Sequence, residues 1–231
     1  MTPLAEQREG DGPRLFPEKV AYWYFRLNGF LQIENFVVHP RGRGAQRTDA
    51  DLLAVRFPHR AEFLLDHPDQ PMVDDIDGLS LSSNLIEIAI VEVKTNQPCT
   101  LNGPWTREDC RNVHRVLAAI GCLPQVNIHA AATDIYQAGH HQAEGLRIRL
   151  IAVGRDRDEQ LANDLPLVVQ LPWLQILHFI WHRFHQYRHQ KKQVDQWDPH
   201  GLRLKRLADS CRDVESFAGQ AYASLGLQRG E

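Results

Sequence analysis

The sequence predicts an α/β fold: a mixed central sheet flanked by helices, followed by a helical C-terminal part. Three observations lead there. Helical and extended patterns alternate through the first 155 or so of the 231 residues, in the order helix, three strands, helix, strand. Residues 85–95 (LIEIAIVEVKT) are, apart from Glu87, apolar at both parities up to Val91. That is the pattern of a central strand covered on both faces. Residues 173–192 then carry apolar side chains at helical spacing over a stretch too long for a strand.

Taken in order, residues 1–15 place Gly10, Gly12 and Pro13 among charges and read as a flexible N-terminus. Pro17 suits the first turn of a helix. Val20, Tyr24 and Leu27, with Ala21 and Phe25, give it an apolar side, and Asn28-Gly29 stops it. Residues 30–39 read as a strand, and residues 40–44 (PRGRG) as a basic turn. Residues 51–57 (DLLAVRF) read as the next strand, ended by Pro58. Acidic and proline-rich residues 59–84 read as an insertion. Thr106 opens a helix, with Asp109 three residues on in the manner of a capping box. Val113, Val116, Leu117 and Ile120 mark its buried side, and Gly121 ends it. Residues 146–153 (LRIRLIAV) form a strand whose alternating arginines suggest one exposed face. A further helical segment covers residues 201–225. The expected organisation is a core over residues 16–160, insertion included, and a helical extension over 161–231 packed on or beside it.

Bulk properties narrow the class. Apolar residues make up 43% of the chain and charged residues 24%, which suits a soluble globule with a sizeable core. No apolar run approaches the roughly 20 residues needed to span a bilayer. The N-terminal segment lacks the apolar centre of an export signal. Four cysteines without a CxxC pair read as reduced cytosolic thiols, so the expected location is the cytoplasm. The net charge of −3 argues against a protein that grips nucleic acid with its whole surface. Residues 165–194, however, hold no Asp or Glu but two Arg, two Lys and four His, so a local basic surface is expected there.

The chemistry concentrates at VEVKT (91–95). Side chains alternate along a strand, so Glu92 and Lys94 point the same way. Charges at the end of so apolar a strand are costly unless solvated, paired or metal-bound. Asp51 heads the neighbouring strand. If the polar ends of the two strands align, Asp51, Glu92 and Lys94 converge. Two carboxylates then offer a hard oxygen site suited to Mg²⁺ or Mn²⁺. A lysine beside them can hold an attacking water and offset charge on a phosphate. Asp49, two residues before Asp51, faces the same way and either joins the site or caps the turn. The alternative for Glu92 and Lys94 is a solvated salt bridge on an exposed strand face.

An Asp on one strand, Glu-x-Lys on the next and a preceding helix glutamate resemble the PD-(D/E)XK nucleases of the restriction-endonuclease-like fold. Glu18, Ala21 and Gly29 in EKVAYWYFRLNGF carry the helix part of the resemblance, which covers roughly residues 16–155. The resemblance implies a nuclease, with DNA favoured over RNA, and a 5′-phosphate product. It implies Asp51, Glu92 and the Val93 backbone carbonyl as metal ligands, with Glu18 and Asp49 as further candidates. Glu18, Asp51, Glu92 and Lys94 would form the catalytic set. Its implied partners are nucleic acid, a second copy of the chain, and a protein of a repair or defence system. The chain departs from the pattern in the long segment between Asp51 and Glu92 and in having no proline before Asp51.

Lesser signals point to nucleic-acid contacts. His178, His182, His185 and His189 make a polar stripe on the predicted 173–192 helix. With Arg183, Arg188, Lys191 and Lys192 it suits a phosphate-facing surface as well as it suits a solvated face. Zinc is a third reading, since histidines four apart can ligate it. Arg107 and Arg111 share one side of the predicted 106–120 helix with His114 or Arg115, and Thr95 and Gln97 directly follow Lys94. These are the candidate backbone contacts. The acidic run Asp74-Asp75-Ile76-Asp77-Gly78 lacks carboxylates at the first and last positions of a calcium loop and reads instead as a solvated loop or lid. A non-catalytic binding module of the same fold is the first rival function. A phosphatase is the second, although no DxDxT, GxSxG or P-loop occurs.

Overall fold

A computed structural model describes residues 14–38, 48–60, 62–64, 67–192 and 196–227. The predicted 40–44 turn and most of the predicted N-terminal segment lie outside them. Arg14 and Leu15 do not: Leu15 is fully buried, and the Arg14 guanidinium donates to the Leu225 carbonyl at 3.4 Å. The expected loose segment therefore ends earlier than residue 15.

The architecture is a mixed open sheet with helices on both faces. Helix α1 (Pro17–Leu27) leads into β1 (Leu31–Val38) and β2 (Thr48–Arg56). A small hairpin, β3 (Phe63–Leu64) and β4 (His67–Pro71), precedes β5 (Ile86–Val93). Short helix α2 (Gly103–Thr106), a 3₁₀ turn (Glu108–Cys110), α3 (Asn112–Ile120) and α4 (Ile128–Ala138) follow. Then come β6 (His140–Ala143), β7 (Leu146–Gly154), α5 (Glu159–Asp164) and β8 (Val169–Pro172). The chain continues through α6 (Trp173–Gln186), α7 (Pro199–Ser210) and α8 (Val214–Leu225).

Spatial order in the sheet is β1-β2-β5-β7-β6, with β8 pairing the far half of β7. Strand β5 is central, as its apolar character at both parities foretold, and it runs antiparallel to β2 and parallel to β7. One face of the sheet (Leu52, Ala54, Ala89, Val91, Ile151, Val153) packs under α1, α6, α7 and α8 in one continuous cluster. The other (Leu53, Ile88, Ile90, Ile148, Leu150) packs under α3 and α4. The C-terminal helices thus share the main core with α1. Among the described residues, no helix is long and apolar enough to cross a membrane.

Several expectations are corrected. The 59–84 segment contains a hairpin, and the first two carboxylates of its acidic run are held by partners, while Ile76 and Asp77 are exposed. The Asp74 side chain, 6% exposed, meets Arg56 at 2.9 Å, Arg60 at 2.6 Å and Arg183 at 3.1 Å. Asp75 accepts from the Tyr24 hydroxyl at 2.6 Å. No helix begins at Thr106: Arg111, in left-handed conformation at φ 53°, separates the 3₁₀ turn from α3. The arginines of β7 are not on an open face. Residues 147, 149, 151 and 153 share the side covered by the C-terminal helices, and Arg149 is buried against Glu87. Helix α6 ends at Gln186, short of Lys192, and residues 199–225 hold two helices, α7 and α8, where one segment was expected. Helix α4 and strands β6 and β8 have no counterpart in the sequence reading.

Candidate active site

The antiparallel β2–β5 ladder aligns the head of one strand with the tail of the other. Its last regular pair is Leu52↔Val91. One step further, Asp51 faces Glu92, and there the ladder opens. The Val93 amide no longer bonds to a strand partner; it donates to the Asp51 carboxylate at 2.6 Å. On the other side of β2, Asn35 drops out of the β1 ladder, between Glu34↔Leu52 and Phe36↔Ala50. It adopts φ 50°, a left-handed conformation uncommon outside glycine, at the level of Asp51. Irregular backbone thus borders Asp51 on both neighbouring strands.

Glu92 is buried, at 4% exposure, and Lys94 follows it on the same face. The Lys94 ammonium lies 2.6 Å from Glu92 Oε1 and donates to Asn102 Oδ1 at 2.8 Å. The Asn102 carboxamide also donates to Glu92 Oε1. Trp105, buried in α2, donates its indole N–H to Glu92 Oε2 at 2.9 Å. A buried tryptophan needs an acceptor for that hydrogen, and Glu92 supplies it. The strand end is itself anchored: the Trp173 indole donates to the carbonyls of Lys94 and Thr95 at 3.0 and 3.1 Å. Gly154 makes room for the chain that follows. A Cβ there would lie 2.5 Å from the Cys99 amide nitrogen, so only glycine lets residues 98–99 cross the end of β7.

Electrostatics single out Asp51. Its carboxyl is pushed up to about 6, first by burial. The Val93 amide opposes that rise, while the charges of Glu92, Glu18 and Asp49 add to it. Glu18, in the first turn of α1, is therefore close enough for its charge to act on Asp51. Asp49 is the second residue of β2, and the turn it was alternatively expected to cap lies outside the described residues. Among the described residues, four carboxylates and Lys94 share this end of the sheet. The donors are hard oxygens, which fit Mg²⁺ or Mn²⁺.

The secondary contacts fare less evenly. Arg111, Arg188 and Lys192 are exposed, as is Gln97. Exposed Arg107 donates to the Cys110 thiol at 3.3 Å. Arg107 and Arg111 precede α3, so they do not share a helix face with His114 or Arg115. Arg183 cannot face a ligand: it is 2% exposed and held by Asp74 and the Val73 carbonyl. Lys191 is committed to Glu62. In the histidine stripe His185 stacks on Trp181, with centroids 4.6 Å apart and planes 8° from parallel, and His189 lies beyond the helix end. Thr95 is half-buried beside the lysine. Asn102 and Trp105 were missed. Residues 102–105 (NGPW) have no periodicity to mark them, and the one available signal was a tryptophan soon after the charged strand end. Comparison with family models, with curated proteins and with solved structures finds no match to this chain.

Proposed function

We propose that the chain is a divalent-metal-dependent nuclease of restriction-endonuclease-like fold, hydrolysing phosphodiester bonds with DNA as the favoured substrate. One observation carries the reading: the Asp51 carboxyl, raised to about 6, stands among Glu92, Glu18 and Asp49 with Lys94 alongside. Asp51 and Glu92 would hold Mg²⁺ or Mn²⁺, with the Val93 carbonyl as a further ligand and Glu18 and Asp49 as outer carboxylates. When bound, the cation supplies Lewis-acid stabilisation to the attacking and leaving oxygens. Lys94 orients the attacking water and offsets charge developing on the phosphate. Asn102 and Trp105 fix the Glu92 carboxylate, and Trp173 fixes the backbone that carries Lys94. Arg107, Arg111, Arg188 and Lys192 remain available for phosphate contact, and the place of action is the cytoplasm. A second copy of the chain, or a protein of a repair or defence system, is the proposed partner.

The second reading is a binding module of the same architecture without catalysis. It is favoured by the three donors already on Glu92, which leave that carboxylate little free acceptor capacity. A cleavage screen over DNA and RNA of several shapes, in Mg²⁺ and in Mn²⁺, separates the two. The nuclease reading expects cleavage that Lys94→Ala lowers by roughly 10²- to 10⁴-fold. Cleavage unchanged in Lys94→Ala, or metal-insensitive binding with no cleavage, overturns it.

A further inference from the structure

A second cluster of ligand-type side chains lies on the α3–α4 side of the sheet and uses none of the carboxylates or the lysine around Asp51. Glu108 of the 3₁₀ turn, His114 of α3 and His129 of α4 bring a carboxylate oxygen and two imidazole nitrogens within 4.8 Å of one another. His114 Nε2 and His129 Nδ1 are 3.1 Å apart. Two nitrogens bound to one tetrahedral Zn²⁺ at about 2.05 Å would be about 3.3 Å apart, so the imidazoles already stand near the spacing a shared cation requires. We propose that Glu108, His114 and His129 form a site for a zinc-class transition-metal ion, with a water completing the coordination.

The surroundings fit that use. Neutral imidazole is the ligating form, and burial, followed by the charge of His129, lowers the His114 pKa. Thr133, one helical turn beyond His129 on α4, donates its hydroxyl to Glu108 Oε1 at 3.1 Å. It orients the carboxylate as an outer-shell partner does. Glu108 and His129 are exposed, so the carboxylate has room to close the last ångström or so on a cation. Two imidazoles and one carboxylate favour zinc-class ions over Mg²⁺, whose preferred ligands are oxygens. A bound ion would tie the 3₁₀ turn to α3 and α4. Glu108 is three residues beyond Trp105, so the tie would also brace the segment that holds Glu92. The site itself stands independently of the nuclease reading.

The rival account of the 3.1 Å contact is a hydrogen bond between two imidazoles with no metal. Titration of the metal-free full-length chain with Co²⁺, followed by visible absorption, and with Zn²⁺, followed by calorimetry, decides between them. The proposal expects the d–d absorption of low-coordinate cobalt at one equivalent, displaced by Zn²⁺. His129→Ala and Glu108→Gln, both at exposed side chains and checked for folding by circular dichroism, should each weaken Zn²⁺ binding at least about tenfold. Asp51→Asn should leave it unchanged. Absence of a cobalt spectrum in the wild-type chain, undiminished binding by folded His129→Ala, or loss of the signal in Asp51→Asn overturns the proposal.

Discussion

Strand β5 carries a buried glutamate near each end, and the two are treated in opposite ways. Glu87, fully buried, meets Arg147 at 2.5 Å and Arg149 at 3.1 Å, and takes the Ser82 amide as well. The chain crossing above closes this end: the Leu79 carbonyl accepts from Arg149 at 2.6 Å, and the Ser80 carbonyl accepts from Arg147. One carboxylate and two guanidiniums leave that cluster formally at +1. Glu92, five residues on, has Lys94 as its ion-pair partner, and Glu92, Glu18 and Asp49 stand close enough at the same end for their charges to act on Asp51. The protein neutralises Glu87 with its own side chains. At the Glu92 end it gathers carboxylates instead, and the Asp51 carboxyl among them is pushed up to about 6. A buried ion cluster that is complete serves packing, whereas an incomplete one is where binding chemistry is expected.

The largest effect that could break this contrast is on stability. Glu87→Gln would leave Arg149 buried without its counter-charge, and burial already pulls that guanidinium down to about 10. The expected cost is about 3–5 kcal/mol in denaturant unfolding. Glu92→Gln in the metal-free protein should cost only about 1 kcal/mol, since it also relieves repulsion on Asp51. Equal losses would mean that both ends are merely structural. Next in size is Gly154→Ala. Its Cβ would meet backbone of residues 98–99 and not a flexible side chain, so a loss of about 1–3 kcal/mol is expected. Metal binding should weaken along with it, because the displaced segment continues directly from Lys94. A silent substitution would show that this end of the sheet is not held by that crossing.

The smallest effect is the most diagnostic in sign. The folded Asp51 pKa lies above its usual 3.8, at about 6. Its contribution to stability is therefore present below pH about 3.8 and lost as pH rises through about 6. Asp51→Asn, which keeps an acceptor for the Val93 amide, should make the metal-free protein more stable than wild type above pH 6, and the difference should shrink toward pH 4. Thermal melts at both pH values check it; a destabilised variant at pH 8 would contradict the crowding of charge at Asp51.

The residues that were legible in sequence owe it to strand geometry. Apolar side chains at both parities placed β5 at the centre of the sheet, and alternation put Glu92 and Lys94 on one face. Antiparallel pairing with β2 then brought in Asp51. The same alternation misled at Arg147 and Arg149. A period of two shows which residues share a face, but it does not show what covers that face. Arg183 failed for a related reason. Its place on an amphipathic helix made it a surface cation, yet Asp74, 109 residues earlier in the chain, buries it. Helix α4 (IHAAATDIYQA) was hidden because its buried positions, Ala131, Ala132, Ile135 and Tyr136, include two alanines that scarcely mark an apolar stripe. Strands β6 and β8 have four residues each, too few to establish a period. Asn102 and Trp105 reach Glu92 from a non-periodic turn.

Calorimetric titration of Mn²⁺ and Mg²⁺ into the wild-type chain and into Asp51→Asn, from pH 5 to pH 8, tests the central claim most directly. A cation that must displace the Asp51 proton should bind about tenfold more weakly at pH 5 than on the plateau above about pH 7, and should release a proton as it binds at pH 5. Asp51→Asn should abolish the binding. Wild-type affinity that does not vary with pH, or that survives in Asp51→Asn, would contradict a metal centre at the open end of β5.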